Sequence, residues 1–321
     1  MMRSIALLAV LVALCSASHA ANAPSGVARS AFLTLGTMAG PLASARRSQP
    51  ANLLLAGDQA ILIDAGDGAA GQLAKVGVPL AEVHSLFLSH LHFDHTGGLF
   101  AILGMRFQAA MPGSLTIYGP PGTRRMVDGL LAAMQPAAEA GAGIPGQPSR
   151  DPHAGIRVEE IVDGSTVELG DVRVGAVRNT HYSFPVGSPE AARYQSLSLR
   201  FDLPDRSVVY TGDTGPSAAV ERLAHGVDLL VSEVIDPDAA LADVRKSVPN
   251  LPPAILALIR EHFLEQHLSA EAAGQLARNA GGKSLVLTHV ALGDRPEEPT
   301  RAAAARAFGG PVRVAHDLGR F

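Results

Sequence analysis

The segment His90-Leu91-His92-Phe93-Asp94-His95 places four metal-ligating side chains within six residues. The chain holds 12 histidines in 321 residues, so three of them here are a strong local excess. His90 and His92 lie two apart and would project to the same side of an extended segment. Asp94 and His95 fall where the chain turns towards a helix, so they can face a second point nearby. Neutral imidazole and carboxylate are the ligands that suit zinc and similar divalent ions. A purely structural role fits poorly, because buried imidazoles and carboxylates need partners.

The elements that must position this cluster read as alternating strands and helices, the pattern of an α/β layer fold. Short apolar runs bounded by Gly, Pro or Asp predict strands at 32–36, 52–56, 60–64, 83–89 and 114–118, with helices at 69–76, 122–134 and from 97 onwards. A β-rich block spans 156–211, with a hairpin signal at Pro204-Asp205. Alternation resumes with strands at 228–232, 284–288 and 312–315 and helices at 216–223, 254–266, 270–280 and 302–308. Residues 135–155, rich in Ala, Gly and Pro, read as a mobile loop, either a surface insertion or a lid. In 254–266 the apolar positions Ile255, Leu258, Ile259 and Phe263 predict a core helix, although it could wall a pocket.

Composition narrows the classes. At 47% hydrophobic and 17% charged, the chain can bury a core, which excludes disorder as its main character. The formal charge is −4 and the basic residues form no runs, which predicts a protein without a nucleic-acid partner. A single cysteine excludes disulfide scaffolds and cysteine-built zinc sites. Residues 1–23 read as a cleaved export signal, with Arg3, an apolar run at 5–14 and small-residue cleavage sites after Ala20 or Ala23. That run is too short to span a bilayer, which needs about 20 residues. The expectation is a mature single domain, 24–321, that is periplasmic or secreted and free of the membrane after cleavage.

His90-x-His92-x-Asp94-His95 at the end of a buried strand resembles the central motif of the metallo-β-lactamase superfamily. Asp64, His181, Asp213 and His289 resemble its remaining motifs, in the family's order, over most of the chain. Alone, Asp213 would read as a turn residue, and His181 would stay undecided between a ligand and an ordinary histidine. The resemblance implies a four-layer αββα sandwich and two divalent metal ions, zinc first, with manganese or iron as alternatives. It implies one ion on His90, His92 and His181, the other on Asp94, His95 and His289, and Asp213 bridging both. Asp64 would orient one of the ligands by hydrogen bonding to it.

Ser232-Glu233, His267-Leu268-Ser269-Ala270 and the run into His289 are similar to the ribonuclease Z and arylsulfatase-like phosphodiesterase branch. That likeness implies that Glu233 and His267, with Asp94, do the catalytic work beside a hydroxide shared by the metals. Alternatively, His267 simply precedes a helix capped by Ser269. The segment 135–156 offers only Arg150 where ribonuclease Z carries a basic arm, so the expected substrate is a small-molecule phosphodiester or sulfate ester. The rival readings are a lactonase or other carbonyl-ester hydrolase, an iron oxidoreductase, and a metal-stabilised binding protein. A homodimer is a further expectation from the branch. His84, His153, His225, His262 and His316 match no motif.

Overall fold

The protein is described here from a computed structural model covering residues 30–321. The expected export signal, 1–23, lies outside the described residues. Fourteen strands form two seven-stranded sheets. The first holds β1 (Ala31–Gly36), β2 (Ala51–Ala56), β3 (Gln59–Ile63), β4 (Val83–Phe87), β5 (Leu115–Gly119) and β6 (Ile156–Glu160). The second holds β7 (Thr166–Leu169), β8 (Val172–Arg178), β9 (Leu197–Asp202), β10 (Ser207–Tyr210), β11 (Leu229–Ile235), β12 (Leu285–Ala291) and β13 (Val312–Val314). The last strand, β14 (Gly319–Arg320), returns to pair with β1.

Side-chain alternation along the strands builds the layers. Leu54, Ile61, Ile63, Phe87, Phe201, Val208 and Val231 meet between the two sheets. Their neighbours Leu53, Leu62 and Leu86 face outward against helices 69–75, 99–108 and 123–133. On the far side, Val209, Leu230 and Leu287 pack under helices 218–223, 270–279 and 297–308. The result is the expected αββα sandwich. The hairpin at Pro204-Asp205 joins antiparallel β9 and β10.

Strands β3 to β6 are parallel, as are β10 to β13. Their carboxyl ends therefore gather along one edge of each sheet, where open α/β folds place their ligands.

Two segments differ from expectation. Residues 135–155 open with a short helix, Gln135–Ala140. The insertion after β11 forms a helix that periodicity did not reveal, Pro237–Ser247, started by Asp236 capping Asp238 and Ala239 and by Pro237 in the first turn. Its successor, Pro253–Glu265, is no core helix. No side chain on it is fully buried, and Ile255, Leu258 and Leu264 are 42%, 61% and 48% exposed. Periodicity detects an apolar face but not whether that face meets a core or an open cavity. Among the described residues, no helix is long and apolar enough to cross a membrane.

Candidate metal centre

The first sheet contributes from the ends of β3 and β4. Asp64 follows β3 with φ +58°, a conformation that a short polar side chain tolerates. Its Oδ1 accepts the Ser89 N–H at 2.7 Å, and its Oδ2 accepts the Ser89 hydroxyl at 2.9 Å and the Tyr210 hydroxyl at 2.8 Å. The same Oδ2 faces His95 Nδ1 at 2.7 Å. A carboxylate there keeps the ring proton on Nδ1 and leaves His95 Nε2 with a lone pair. Beyond β4 the chain runs extended through His90 and His92, then enters the single helical turn Phe93–Thr96 that carries Asp94 and His95.

The second sheet answers from the ends of β8, β10 and β12. His181 follows β8; the Asn179 side chain accepts the His181 N–H at 3.2 Å and donates to the Thr211 carbonyl at 3.2 Å. Asp213 follows β10 through Gly212, whose φ of +57° suits glycine. His289 sits where β11 and β12 slip register: Glu233 pairs with Thr288, but Val234 pairs with Val290. This bulge, with φ +48° at His289, aims the ring away from the ladder. Gly215 meets the loop before His267 so closely that a Cβ would lie 2.0 Å from the Glu265 carbonyl oxygen. Gly215→Ala should therefore destabilise the fold by roughly 1–3 kcal/mol. It should also lower kcat/KM by moving His267; an unchanged melting temperature and kcat/KM would show that the loop has slack.

All the expected site residues come together. The ligand atoms of His90, His92 and His181 lie within 4.8 Å of one another, as do those of Asp94, His95, Asp213 and His289. Asp213 stands between the groups, its carboxylate 3.2 Å from His95 Nε2 and His289 Nε2 and 3.9 Å from His90 Nε2. Most of these side chains are buried, yet His90 Nε2, His95 Nε2 and Asp213 Oδ1 make no hydrogen bond. Buried polar atoms without partners are costly, and this set converges on common points with nitrogen and carboxylate donors. The arrangement is compatible with two divalent ions.

The charges agree. Burial, reinforced by neighbouring imidazoles, holds His90 and His181 well below the usual histidine range, which leaves their lone pairs available. Burial opposes ionisation of Asp94, but His95 and a bond from His289 outweigh it and hold its pKa at about 2. Asp213 is likewise held ionised, against its burial, by His289 and His95.

Beside the ligand groups, His267 Nδ1 lies 2.6 Å from Glu233 Oε2, and the Thr214 N–H donates to Glu233 Oε1. Burial, then the charge of Asp213, pushes Glu233 well above the usual carboxylate range. His267 faces a cavity of about 770 Å³ also lined by Phe93, Asp243, His262, Phe263, Arg46 and Arg47, while Glu233 lies buried behind it. No residue of 135–155 lines it. Phe93 is 65% exposed at its mouth.

Four neighbours escaped the sequence reading: Ser89 and Tyr210, which hold Asp64, Tyr182, which packs on His92 and His181, and His262. His262 Nε2 lies 3.3 Å from His267 Nε2, and its Nδ1 bonds the Gln266 side chain. Its separation from His267 by five residues across a helix end carries no motif.

A family profile described as "Beta-lactamase superfamily domain" matches residues 59–290. A ribonuclease Z of Mycobacterium avium is 34% identical over 285 residues, covering 87% of this chain and 94% of that relative. The chain belongs to the metallo-β-lactamase superfamily, in its ribonuclease Z branch.

Solved structures agree on the fold. The metallo-β-lactamase fold protein YhfI from Bacillus subtilis superposes with a TM-score of 0.65 at 18% identity, over 91% of this chain and 98% of that one. Human tRNase Z, short form, gives 0.60 at 20% identity, with the same coverage of each. Membership of the superfamily makes the chain a metal-dependent hydrolase. The ribonuclease Z relatives overturn the expectation of a small-molecule phosphodiester or sulfate ester, with its lactonase and oxidoreductase rivals, and the expectation of no nucleic-acid partner. The physical reason is that net charge sums the whole surface. At this superfamily's centre the positive charge comes from bound ions, which no count of Lys and Arg includes.

Proposed function

We propose that this ribonuclease Z-branch protein is a binuclear ribonuclease that hydrolyses a phosphodiester bond of RNA. The observation that carries the reading is the Glu233–His267 pair, 2.6 Å apart, beside the two converging ligand groups. A nuclease must expel a poor alkoxide leaving group, and that step gains most from a positioned proton donor.

In this reading His90, His92 and His181 would hold one ion and Asp94, His95 and His289 the other, with Asp213 available to both. Zinc suits this imidazole-rich set. Two such ions would supply positive charge to the phosphate oxygens and would lower the pKa of a water there towards about 7. The chain's own residues do the rest. Asp64 fixes the tautomer and angle of His95. Glu233, its carboxyl proton retained by burial, shares that proton with His267 Nδ1 across the 2.6 Å contact and so turns Nε2–H towards the cavity. His267 Nε2 delivers a proton to the leaving oxygen, and the phosphate lies between that nitrogen and the ligand groups. The export pattern of residues 1–23 supports a periplasmic or secreted enzyme, which subcellular fractionation of the intact chain checks.

The test pairs metal analysis with cleavage of a labelled RNA. The expected result is two ions per chain and endonucleolytic products. Dialysis against a chelator should abolish cleavage and lower the melting temperature, and both should return with added zinc. Intact RNA at full metal occupancy would sink the proposal.

A further inference from the structure

Besides the cavity, an aromatic strip leads away from the metal centre. Tyr182 packs on His92 and His181 with ring centroids 5.3 and 5.2 Å apart. Phe184 follows at 5.9 Å from Tyr182, and Tyr194 at 5.6 Å from Phe184. Arg193 lies over the Tyr194 ring at 5.4 Å and closes the row. Phe184 and Tyr194 are 36% and 42% exposed, and Val186 beside them is 97% exposed. None of these residues lines the cavity, so His92 and His181 stand between two separate surfaces. These aromatics lie outside the motifs that mark the superfamily in this sequence.

We propose that this strip is a stacking subsite for the bases of a single-stranded RNA segment flanking the scissile phosphate. The inference rests on the ribonuclease reading above and deepens it. A strand cut internally continues on both sides of the reacting phosphate, and the ligand groups border the cavity on one side and, through the rings of His92 and His181, the aromatic strip on the other. The charges favour bases over backbone as the occupant. Of the arginines at the cavity, Arg46 is paired with Asp294, Arg47 with Glu297 and Arg295 with Asp236. The strip itself carries one cation, Arg193, against three aromatic rings. Phosphate neutralisation therefore contributes little here, whereas every base offers a π-face to an exposed ring. Phe184 is the central ring. It packs between Tyr182 and Tyr194 and belongs to none of the core clusters, so its replacement removes contacts within the strip and no core packing.

The experiment uses the metal-loaded full chain, a short labelled single-stranded RNA, and an abasic strand of the same length and charge. Stopped-flow anisotropy reads binding and gel electrophoresis reads cleavage. The base-bearing strand should bind about tenfold tighter or more. Phe184→Ala should weaken its binding and raise its KM by roughly five- to a hundredfold, the equivalent of about 1–3 kcal/mol for a stacked base. Abasic affinity should stay put, Phe184→Tyr should restore binding, and the melting temperature should hold. RNA that is cut with a KM indifferent to Phe184→Ala overturns the subsite and leaves the ribonuclease reading standing. Base-dependent binding without cleavage does the reverse. Equal weakening for base-bearing and abasic strands also overturns the subsite, and a failure of RNA either to bind or to be cut overturns both.

Discussion

Replacing His267 by alanine is expected to lower kcat on RNA by roughly 10²–10⁴-fold, the usual worth of a positioned general acid. Metal content should change little, because His267 bonds Glu233 at 2.6 Å and only packs against the rings of His181 and His289, with centroids 4.8 and 6.0 Å apart. The decisive comparison varies the leaving group. A diester that releases a nitrophenolate needs little protonation, so the same variant should lose far less rate on it. Glu233→Gln should follow His267→Ala in this pattern, since an amide cannot pass a proton to His267 Nδ1 as a carboxyl group does. Equal losses on both substrates would instead mean that the variant disturbs phosphate binding or the metals. Single-turnover rates with metal analysis separate these outcomes.

The largest expected effect on stability belongs to Asp64→Ala. Asp64 is wholly buried and serves the Ser89 N–H, the Ser89 hydroxyl, the Tyr210 hydroxyl and His95 Nδ1 at once. Stranding one such buried group costs about 1–3 kcal/mol. Alanine at φ +58° adds roughly 1–2 kcal/mol of backbone strain. A loss of at least about 3 kcal/mol follows even after relaxation, or roughly 5–6 °C in melting temperature for a domain of this size. The melt belongs on chelator-treated protein, so that lost metal is not counted as lost packing. Asp64→Asn keeps the backbone conformation but not the tautomer of His95, and metal affinity should fall about 10–100-fold. An Asp64→Ala chain that melts within a degree or two of the parent would refute this account.

The site was unevenly legible. His90 to His95 stand out because four ligands crowd one turn, a local signal that needs no tertiary structure. His181, Asp213 and His289 are weak singly and became readable only through their order in the chain. Tyr210 and Ser89 left no trace, since a hydroxyl buried against a carboxylate looks like any strand residue. His262 was passed over for a related reason. Its helix belongs to the insertion after β11, and only the packed structure turns that helix towards His267. An α/β layer fold followed from the alternation of apolar runs and helices, and the four-layer sandwich from the family resemblance. The substrate class did not, because a charge count cannot see ions that the chain recruits.

The origin of the ligand groups has a consequence for the chain as a whole. His90, His92, Asp94 and His95 come from the first sheet, while His181, Asp213 and His289 come from the second. Ions shared between them would act as a cross-link between the halves of the sandwich, closing a loop of about 200 residues from His90 to His289. Such closure restrains the unfolded chain as a disulfide does, and the restraint grows slowly with loop length. Metal affinity and resistance to unfolding then become one linked quantity, worth about 4 kcal/mol at a free ion concentration a thousand times the Kd. For a cysteine-poor protein, an ion clamp fills the place that a covalent staple holds elsewhere. Proteolysis of the chelated protein should accordingly begin by parting the two sheets.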